Sequence, residues 1–360
     1  MRVKLEDVCE RGTSSLMQKD IVDKNGKYPV YGASGRIGSM ETYQQEHQTV
    51  AVVKDGAGIG RTMLLPEKSS IIGTMQYLIP KNCIEPEYLY YAVKYMHLEK
   101  YFSGATIPHI YFRDYKTEEF NLHNKTEQQE IISTLKRVEA VISNRREQLA
   151  MLDELVKARF VEMFGDPISN PFGFKVKTLQ KMIDDGTIMY HLDGNHGSDY
   201  PRNEEFVECG VPYISANCIV HNDVNLKLAK HLTEERASKL RKGIAQNGDV
   251  LFAHNATVGP VAILYTDDEK VILGTSLTAY RCDKERMVPD YLKAYMQSEG
   301  FVCQYTKDMK QTTRNQVPIT AQRKFLFVIP PLSLQNQFAA FAAEVDKSKL
   351  FAELFAQNAC

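Results

Sequence analysis

Two stretches of the chain, roughly 200 residues apart, follow one plan. Residues 52–65 read VVKDGAGIGRTMLL and residues 251–264 read LFAHNATVGPVAIL. Each is a short apolar strand, a turn of small residues and a second apolar strand around a shared glycine, Gly60 and Gly259. Ile72-Gly73-Thr74 then matches Leu273-Gly274-Thr275. Pro86-Glu87-Tyr88-Leu89 matches Pro289-Asp290-Tyr291-Leu292, each opening a helix with proline in its first turn. Ile107-Pro108 pairs with Val317-Pro318, and Arg113 with Arg323. Thr126-Glu127-Gln128-Gln129 and Ser333-Leu334-Gln335-Asn336 each start a helix. The shared order carries the argument, and a period this long predicts two homologous domains instead of a solenoid. Valine, isoleucine and tyrosine flanked by Gly, Asn and Asp predict strands and turns, so each half reads as mixed α/β.

The connecting segment is different. Residues 126–164 contain neither proline nor glycine. Leu135, Val138, Ile142, Leu149, Leu152 and Val156 follow a three-four spacing with Arg145 in the polar slot, the pattern of a helical seam. A helix of roughly 36 residues is about 54 Å long. Phe164-Gly165-Asp166-Pro167 stops it. A second helix, from about Ser333, carries Phe338, Phe341, Val345, Leu350, Leu354 and Phe355. A helix with such a stripe needs a partner. The expected fold class is therefore α+β: two homologous mixed α/β domains joined by two long antiparallel helices in a coiled coil, with pseudo-two-fold symmetry. A bar of about 54 Å matches roughly 16 base pairs of B-DNA, whose backbone is itself two-fold symmetric.

Composition narrows the function. A chain of 360 residues exceeds one ordinary core. No stretch approaches a membrane span, and the N-terminus shows no signal peptide. The seven cysteines are scattered without a Cys-x-x-Cys pair, which predicts reduced thiols and a cytoplasmic protein. A net charge of −1 excludes a simple, strongly basic DNA binder. If DNA is the ligand, positive charge is local or partner subunits supply part of the phosphate contact.

The chain resembles the specificity subunit of type I restriction–modification enzymes. The residues that carry the likeness are Tyr28-Pro29-Val30-Tyr31-Gly32-Ala33-Ser34-Gly35, Asp55-Gly56-Ala57-Gly58-Ile59-Gly60, Gln128-Gln129, Phe164-Gly165-Asp166-Pro167, Gly248-Asp249-Val250-Leu251 and Ile329-Pro330-Pro331-Leu332. In the first half, Asn121-Leu122-His123-Asn124 stands where a Pro-Pro-Leu type of entry is expected. The resemblance implies a first target-recognition domain over 1–124, a spacer helix over 125–165, a second target-recognition domain over 166–331 and a shorter helix over 332–360. It implies a non-catalytic subunit that reads a bipartite target in double-stranded DNA. Its helices would dock two methyltransferase (M) subunits and, through them, restriction (R) subunits, with no cofactor, no metal and no membrane.

Sequence readout needs donors and acceptors aimed at base edges. Candidates in the first half are Arg36, Lys54 and Arg61 around the glycine turns, with His109 and Tyr111 after Pro108. In the second half they are His254, Asn255 and Thr257 on the matching turn, then Thr313, Arg314, Asn315 and Gln316. His196 lies in a polar stretch, 191–197, read as a loop.

Enzyme readings lack parts. Gly56-x-Gly58-x-Gly60 lacks the dinucleotide spacing and runs into a strand where a phosphate loop needs a helix. Asn170-Pro171-Phe172 lacks the second proline of an amino-methyltransferase motif, and the carboxylates at Glu67 and Asp267-Asp268-Glu269 cluster in turns. The alternatives to a recognition subunit are an enzyme with its own methyl-transfer or nuclease activity and a duplicated recognition domain, or a coiled-coil scaffold.

Overall fold

The structure is a computed structural model that describes residues 1–21, 26–104, 108–309 and 315–357, with backbone alone at 198, 307–309 and 350–357. Two compact units divide the chain, Met1–Ser143 and Asn144–Cys360.

Unit 1 runs β1 (Arg2–Lys4), α1 (Leu5–Val8), β2 (Cys9–Thr13), β3 (Tyr28–Gly32), β4 (Gly35–Met40), β5 (Thr49–Val53), β6 (Thr62–Leu65), β7 (Ser70–Ile71), β8 (Met75–Pro80), α2 (Pro86–Tyr95), α3 (Phe112–Tyr115) and β9 (Glu119–Asn121), and enters α4 (Lys125–Phe164). Unit 2 continues from α4 through β10 (Lys175–Thr178), α5 (Leu179–Asp184), β11 (Ile188–Asp193), β12 (Phe206–Val207), β13 (Val211–Ile214), β14 (Ile219–Val220), β15 (Asp223–Val224), β16 (Lys230–Leu232), α6 (Glu234–Ser238), β17 (Ile244–Ala245), β18 (Val250–Asn255), β19 (Thr257–Ile263), β20 (Val271–Leu273), β21 (Leu277–Cys282), α7 (Pro289–Gln297), α8 (Glu299–Met309), α9 (Ile319–Gln322), β22 (Leu326–Ile329) and α10 (Leu332–Gln357).

The repeat seen in the sequence is a repeat of topology. Unit 1 has a four-stranded sheet in the order β2-β8-β5-β6, and unit 2 has β11-β21-β18-β19. Beside it, β3 pairs parallel with β7, and β13 pairs parallel with β20. A ribbon closes each unit, β1 with β9 and β10 with β22. The central strands are buried on both faces, and the period of two splits their side chains between layers. Val50 and Val52 join the core under α2, while Ala51 and Val53 join the core on the other side. Val250 and Phe252 likewise face α7, and Leu251 and Ala253 face away.

One side chain at the start of each long helix organises this layer. Gln128 is fully buried; its Oε1 accepts the Glu85 N–H at 2.8 Å, and its Nε2 donates to the carbonyls of Cys83 and His123 at 3.0 and 2.8 Å. Gln335, also fully buried, accepts the Val288 N–H at 2.9 Å and donates to the Pro330 carbonyl at 2.9 Å. Glu85 and Val288 are the N-cap residues of α2 and α7, and neither helix is capped by its own side chain. A second tie is duplicated: the Tyr88 hydroxyl donates to Asn121 O at 2.8 Å and the Tyr291 hydroxyl to Val328 O at 2.7 Å.

The departure at Asn121-Leu122-His123-Asn124 has a local reason. Asn124 Oδ1 accepts the Glu127 N–H at 3.0 Å and Glu127 returns a carboxylate oxygen to the Asn124 N–H at 3.1 Å, a reciprocal cap that starts α4 without proline. The helix stops where Gly165, at φ +73°, donates its N–H to Val161 O at 2.8 Å.

Within unit 1 the first part of α4 lies on α2. Ile132 is buried there, Lys136 pairs with Glu87 at 2.6 Å, and Glu139 meets Lys94 at 3.0 Å and the Tyr91 hydroxyl at 2.8 Å. Within unit 2 the end of α4 packs antiparallel to α10. Phe160 meets Phe338 with ring centroids 5.7 Å apart, Arg159 lies 5.7 Å from the Phe341 ring, and Asp153 pairs with Lys349 at 2.8 Å. Phe160 also stacks on Tyr291 of α7, and Phe164 meets the same ring edge to face. The apolar seam is therefore unevenly covered. Phe338 and Val345 are buried, Leu135, Ile142, Leu149, Leu152, Val156 and Phe341 are half-buried, and Val138 is 37% exposed.

The glutamine anchors make a testable energetic claim. Gln128→Leu and Gln335→Leu strand two or more buried backbone groups and should each lower stability by about 2–3 kcal/mol in urea unfolding. Gln129→Leu, one residue on and exposed, should change it by less than about 0.5 kcal/mol.

Candidate nucleic-acid interface

In unit 1 the turn between β5 and β6 is closed by its own backbone. The Val53 N–H donates to Arg61 O and the Gly60 N–H to Val53 O, both at 2.9 Å. Gly60 sits at φ +81°, and a Cβ there would fall 2.6 Å from Glu99 N, so glycine is required. A strap, the segment leading into α3, runs beside this turn. The Gly56 N–H donates to Pro108 O at 3.0 Å and the Ile110 N–H to Lys54 O at 2.9 Å. His109 exchanges both backbone bonds with Ser103, at 2.8 and 2.9 Å.

This arrangement gathers most of the first-half candidates. His109 Nδ1 contacts the Asp55 carboxylate, which fixes the ring. The same ring packs on Tyr111 with centroids 4.0 Å apart, and Arg113 lies 4.6 Å over Tyr111, which is 42% exposed. Arg61 is exposed and donates from Nη1 to Ala33 O at 2.7 Å, which brings the β3–β4 turn alongside. Arg36 is exposed in β4 just beyond that turn, and Lys54 is half-buried. The result is a polar ridge with ammonium, guanidinium, imidazole and phenol groups facing outward.

Unit 2 builds the same turn and strap. His254 pairs with Val258 and Asn255 with Thr257, leaving Ala256 at the tip with φ +64°. The Ala256 N–H donates to Asn315 O at 3.0 Å, the Val317 N–H to His254 O at 2.8 Å, and Asn255 bridges Gln316. Thr257 and Asn315 are exposed, and Asn255 and Gln316 are half-buried. Thr313 and Arg314 lie outside the described residues. His196 is exposed and meets the Asp193 carboxylate at 2.8 Å through Nε2.

These bonds correct several sequence readings. Pro108 and Pro318 are not equivalent. Gly56 binds Pro108 O where Ala256 binds Asn315 O, so Pro108 corresponds to Asn315. Pro318 is the N-cap of α9 as Tyr111 is of α3. Arg323 corresponds to Lys116 instead of Arg113, because Glu6 donates to Lys116 O as Gln180 donates to Arg323 O, both at 3.0 Å. His254 is not a surface reader: it is 1% exposed, and its Nδ1 bonds Val317 O at 3.1 Å. The stretch 191–197 is not all loop, since His191 to Asp193 belong to β11 and His191 is buried. Sequence reasoning missed Asp55 as the partner of His109. The aligned stretches set Asp55 against His254, and the strap bonds set it against Asn255, with His109 against Gln316.

Below the unit 2 strap lies a buried polar network. The Gln322 amide donates to Val317 O and Thr278 Oγ1, both at 3.1 Å. Its oxygen faces the Tyr280 hydroxyl at 2.7 Å and His191 Nε2 at 3.2 Å. Burial holds both imidazoles neutral, lowering His191 to about 4 and pulling His254 below its ordinary value. Among the described residues no group of three or more His, Cys, Asp or Glu could hold a metal ion, and no helix is long and apolar enough to cross a membrane.

Residues 1–152 match the type I restriction modification DNA specificity domain. The match covers less than half of the chain. A specificity subunit of the type I restriction enzyme MjaIX from Methanocaldococcus jannaschii is 27% identical over 154 residues, covering 40% of this chain and 36% of that one. The chain thus spans about a third of the length of the curated relative it matches. Among solved structures, the S subunit of a type I restriction-modification system from M. genitalium superposes with a TM-score of 0.60 at 15% identity, over 100% of this chain and 92% of that one. It shows the shared α+β fold. The HsdS subunit from Thermoanaerobacter tengcongensis gives 0.41 at 15% identity, over 98% of this chain and 90% of that one. Most of unit 2 lies beyond the matched specificity domain, and its sheet order repeats that of unit 1.

The histidine network gives a pH dependence with a definite sign. His191 and His254 have folded values below the ordinary ~6.5, so between that value and about 4 the unfolded chain binds protons that the folded chain does not. Stability of unit 2 is therefore full above about pH 6.5 and falls on acidification, by about 3 kcal/mol for His191 alone at pH 4. Asp193 opposes this and Arg323 adds to it. Hydrogen exchange should show β11 and β18 losing protection between pH 7 and 4.5 more than β2 and β5 do; equal loss contradicts the assignment.

Proposed function

We propose that the chain is the specificity subunit of a type I restriction–modification assembly. It recognises a bipartite sequence in double-stranded DNA, with one half-site for each unit, and catalyses no reaction itself. In this reading the target-recognition domains cover 1–124 and 166–331. The helices over 125–165 and 332–360 dock two methyltransferase subunits and, through them, the restriction subunits, in the cytoplasm.

One observation carries the reading. The same turn and strap occurs in both units with different side chains at equivalent places, Asp55 and His109 in one, Asn255 and Gln316 in the other. A shared frame with exchanged polar groups suits two readers of different half-sites. Carboxamides such as those of Asn255 and Gln316 offer a donor and an acceptor side by side, which matches the edge of adenine in the major groove. Lys54, Arg61 and Arg36 suit phosphate or guanine. Docking is supported by the apolar side chains that α4 leaves exposed, Val141, Met151, Leu155 and Val161.

Methylome sequencing of the host with and without the gene should show loss of one bipartite methylated motif; an unchanged methylome overturns the reading. In the assembled complex, Asn255→Ala should reduce preference at one half-site by about tenfold and leave the other unchanged, the cost of one base contact. Lys54→Ala with Arg61→Ala should weaken binding through the other unit. An Asn255→Ala complex with unaltered half-site preference removes that residue from the interface.

A further inference from the structure

The strap of unit 2 is held from beneath by groups that never reach the surface. Val317 is the junction. Its N–H donates to His254 O at 2.8 Å, and its carbonyl faces both His254 Nδ1 and Gln322 Nε2 at 3.1 Å. A carbonyl only accepts, and this one fact fixes every proton in the network. The Gln322 end that faces it is the amide nitrogen, so the other end is the oxygen. That oxygen then accepts from the Tyr280 hydroxyl and from His191 Nε2–H. His254 carries its proton on Nδ1. The remaining ring nitrogens, His191 Nδ1 and His254 Nε2, are buried and without a partner among the described residues, as this assignment requires.

Gln322 is fully buried and makes four hydrogen bonds to two strands and the strap: His191 of β11, Thr278 and Tyr280 of β21, and Val317. The next residue back, Gln316, bridges Asn255, and the one before it binds the tip of the turn through Ala256. The polar groups on the surface therefore stand where the buried amide puts them. Unit 1 differs. Tyr115 occupies the place of Gln322, and its hydroxyl is buried without a partner among the described residues. Beside its backbone bonds, its strap is held by the half-buried His109–Asp55 contact.

We propose that Gln322 and His254 are positioning residues for base discrimination by unit 2, acting through the Val317 carbonyl on Gln316 and Asn255 without touching DNA. The proposal rests on the DNA-reading function stated above.

The test is selection of bound sequences from a randomised duplex library by the assembled complex, with thermal unfolding measured on the same preparations. Gln322→Met keeps the side-chain volume and removes all four bonds. His254→Leu removes the donor to Val317, while His254→Asn keeps an amide nitrogen near the position of Nδ1. Gln322→Met and His254→Leu should each lower discrimination at one half-site by about tenfold, the effect of one displaced hydrogen bond, and leave the other half-site as in the wild type. His254→Asn should restore discrimination to within about threefold of the wild type. A merely structural role would lower the unfolding temperature without this half-site selectivity or this rescue. Should Gln322→Met fail to fold, Tyr280→Phe, which removes one donor at constant shape, carries the same expectation. Wild-type discrimination in folded Gln322→Met or Tyr280→Phe overturns the proposal, as does a His254→Asn variant no better than His254→Leu. A wild-type complex that selects no sequence overturns the DNA-reading function itself, a separate outcome.

Discussion

A buried amide at the start of each long helix is the interaction on which the rest depends. Gln128 and Gln335 each bond, with one side chain, the N-cap residue of one helix and a carbonyl leading into another. Burying an amide is unfavourable unless its hydrogen-bonding capacity is met, and both glutamines meet it with backbone groups that would otherwise be stranded. This joins the start of α4 to α2 and the start of α10 to α7. With that angle set, Ile132 reaches the core of unit 1 and Phe338 reaches the core of unit 2. The sheets beneath keep the same strand order for the same reason: each must present an apolar layer to a helix held in one place.

The turn and strap sit at the other side of this frame, and there the units diverge. The backbone pattern is kept, with a positive φ at Gly56 and at Ala256 and the same bonds to the strap. The side chains are not kept. Unit 1 uses an imidazole and a carboxylate at the surface, and unit 2 uses two carboxamides above a sealed network. Backbone bonds tolerate exchange of side chains, so a frame of this kind can change what it presents without changing how it folds.

How much of this was legible in the sequence depended on the kind of signal. The glycine turn, the prolines that open α2 and α7 and the uninterrupted α4 were readable because glycine, proline and helical periodicity act locally. The family resemblance was readable from the order of such landmarks. The alignment of the straps was not. Pro108 and Pro318 attract notice because proline is conformationally loud, yet one is a strap residue and the other a helix N-cap. His254 looked like a turn residue because it is polar and precedes Asn255. It is the penultimate residue of β18, buried like every residue before it in that strand, between β21 and β19, and tertiary context hides it. Gln322 carried no local signal, since three of its four partners come from distant parts of the chain.

The central claim is that both units meet DNA through equivalent turns and straps. Hydrogen exchange of the assembled complex, with and without its target duplex, tests it most directly. Protection is predicted at the 53–61 turn with residues 108–111 in unit 1, and at the 254–258 turn with residues 315–317 in unit 2. A duplex that protects neither turn, or only one of the two, contradicts the account.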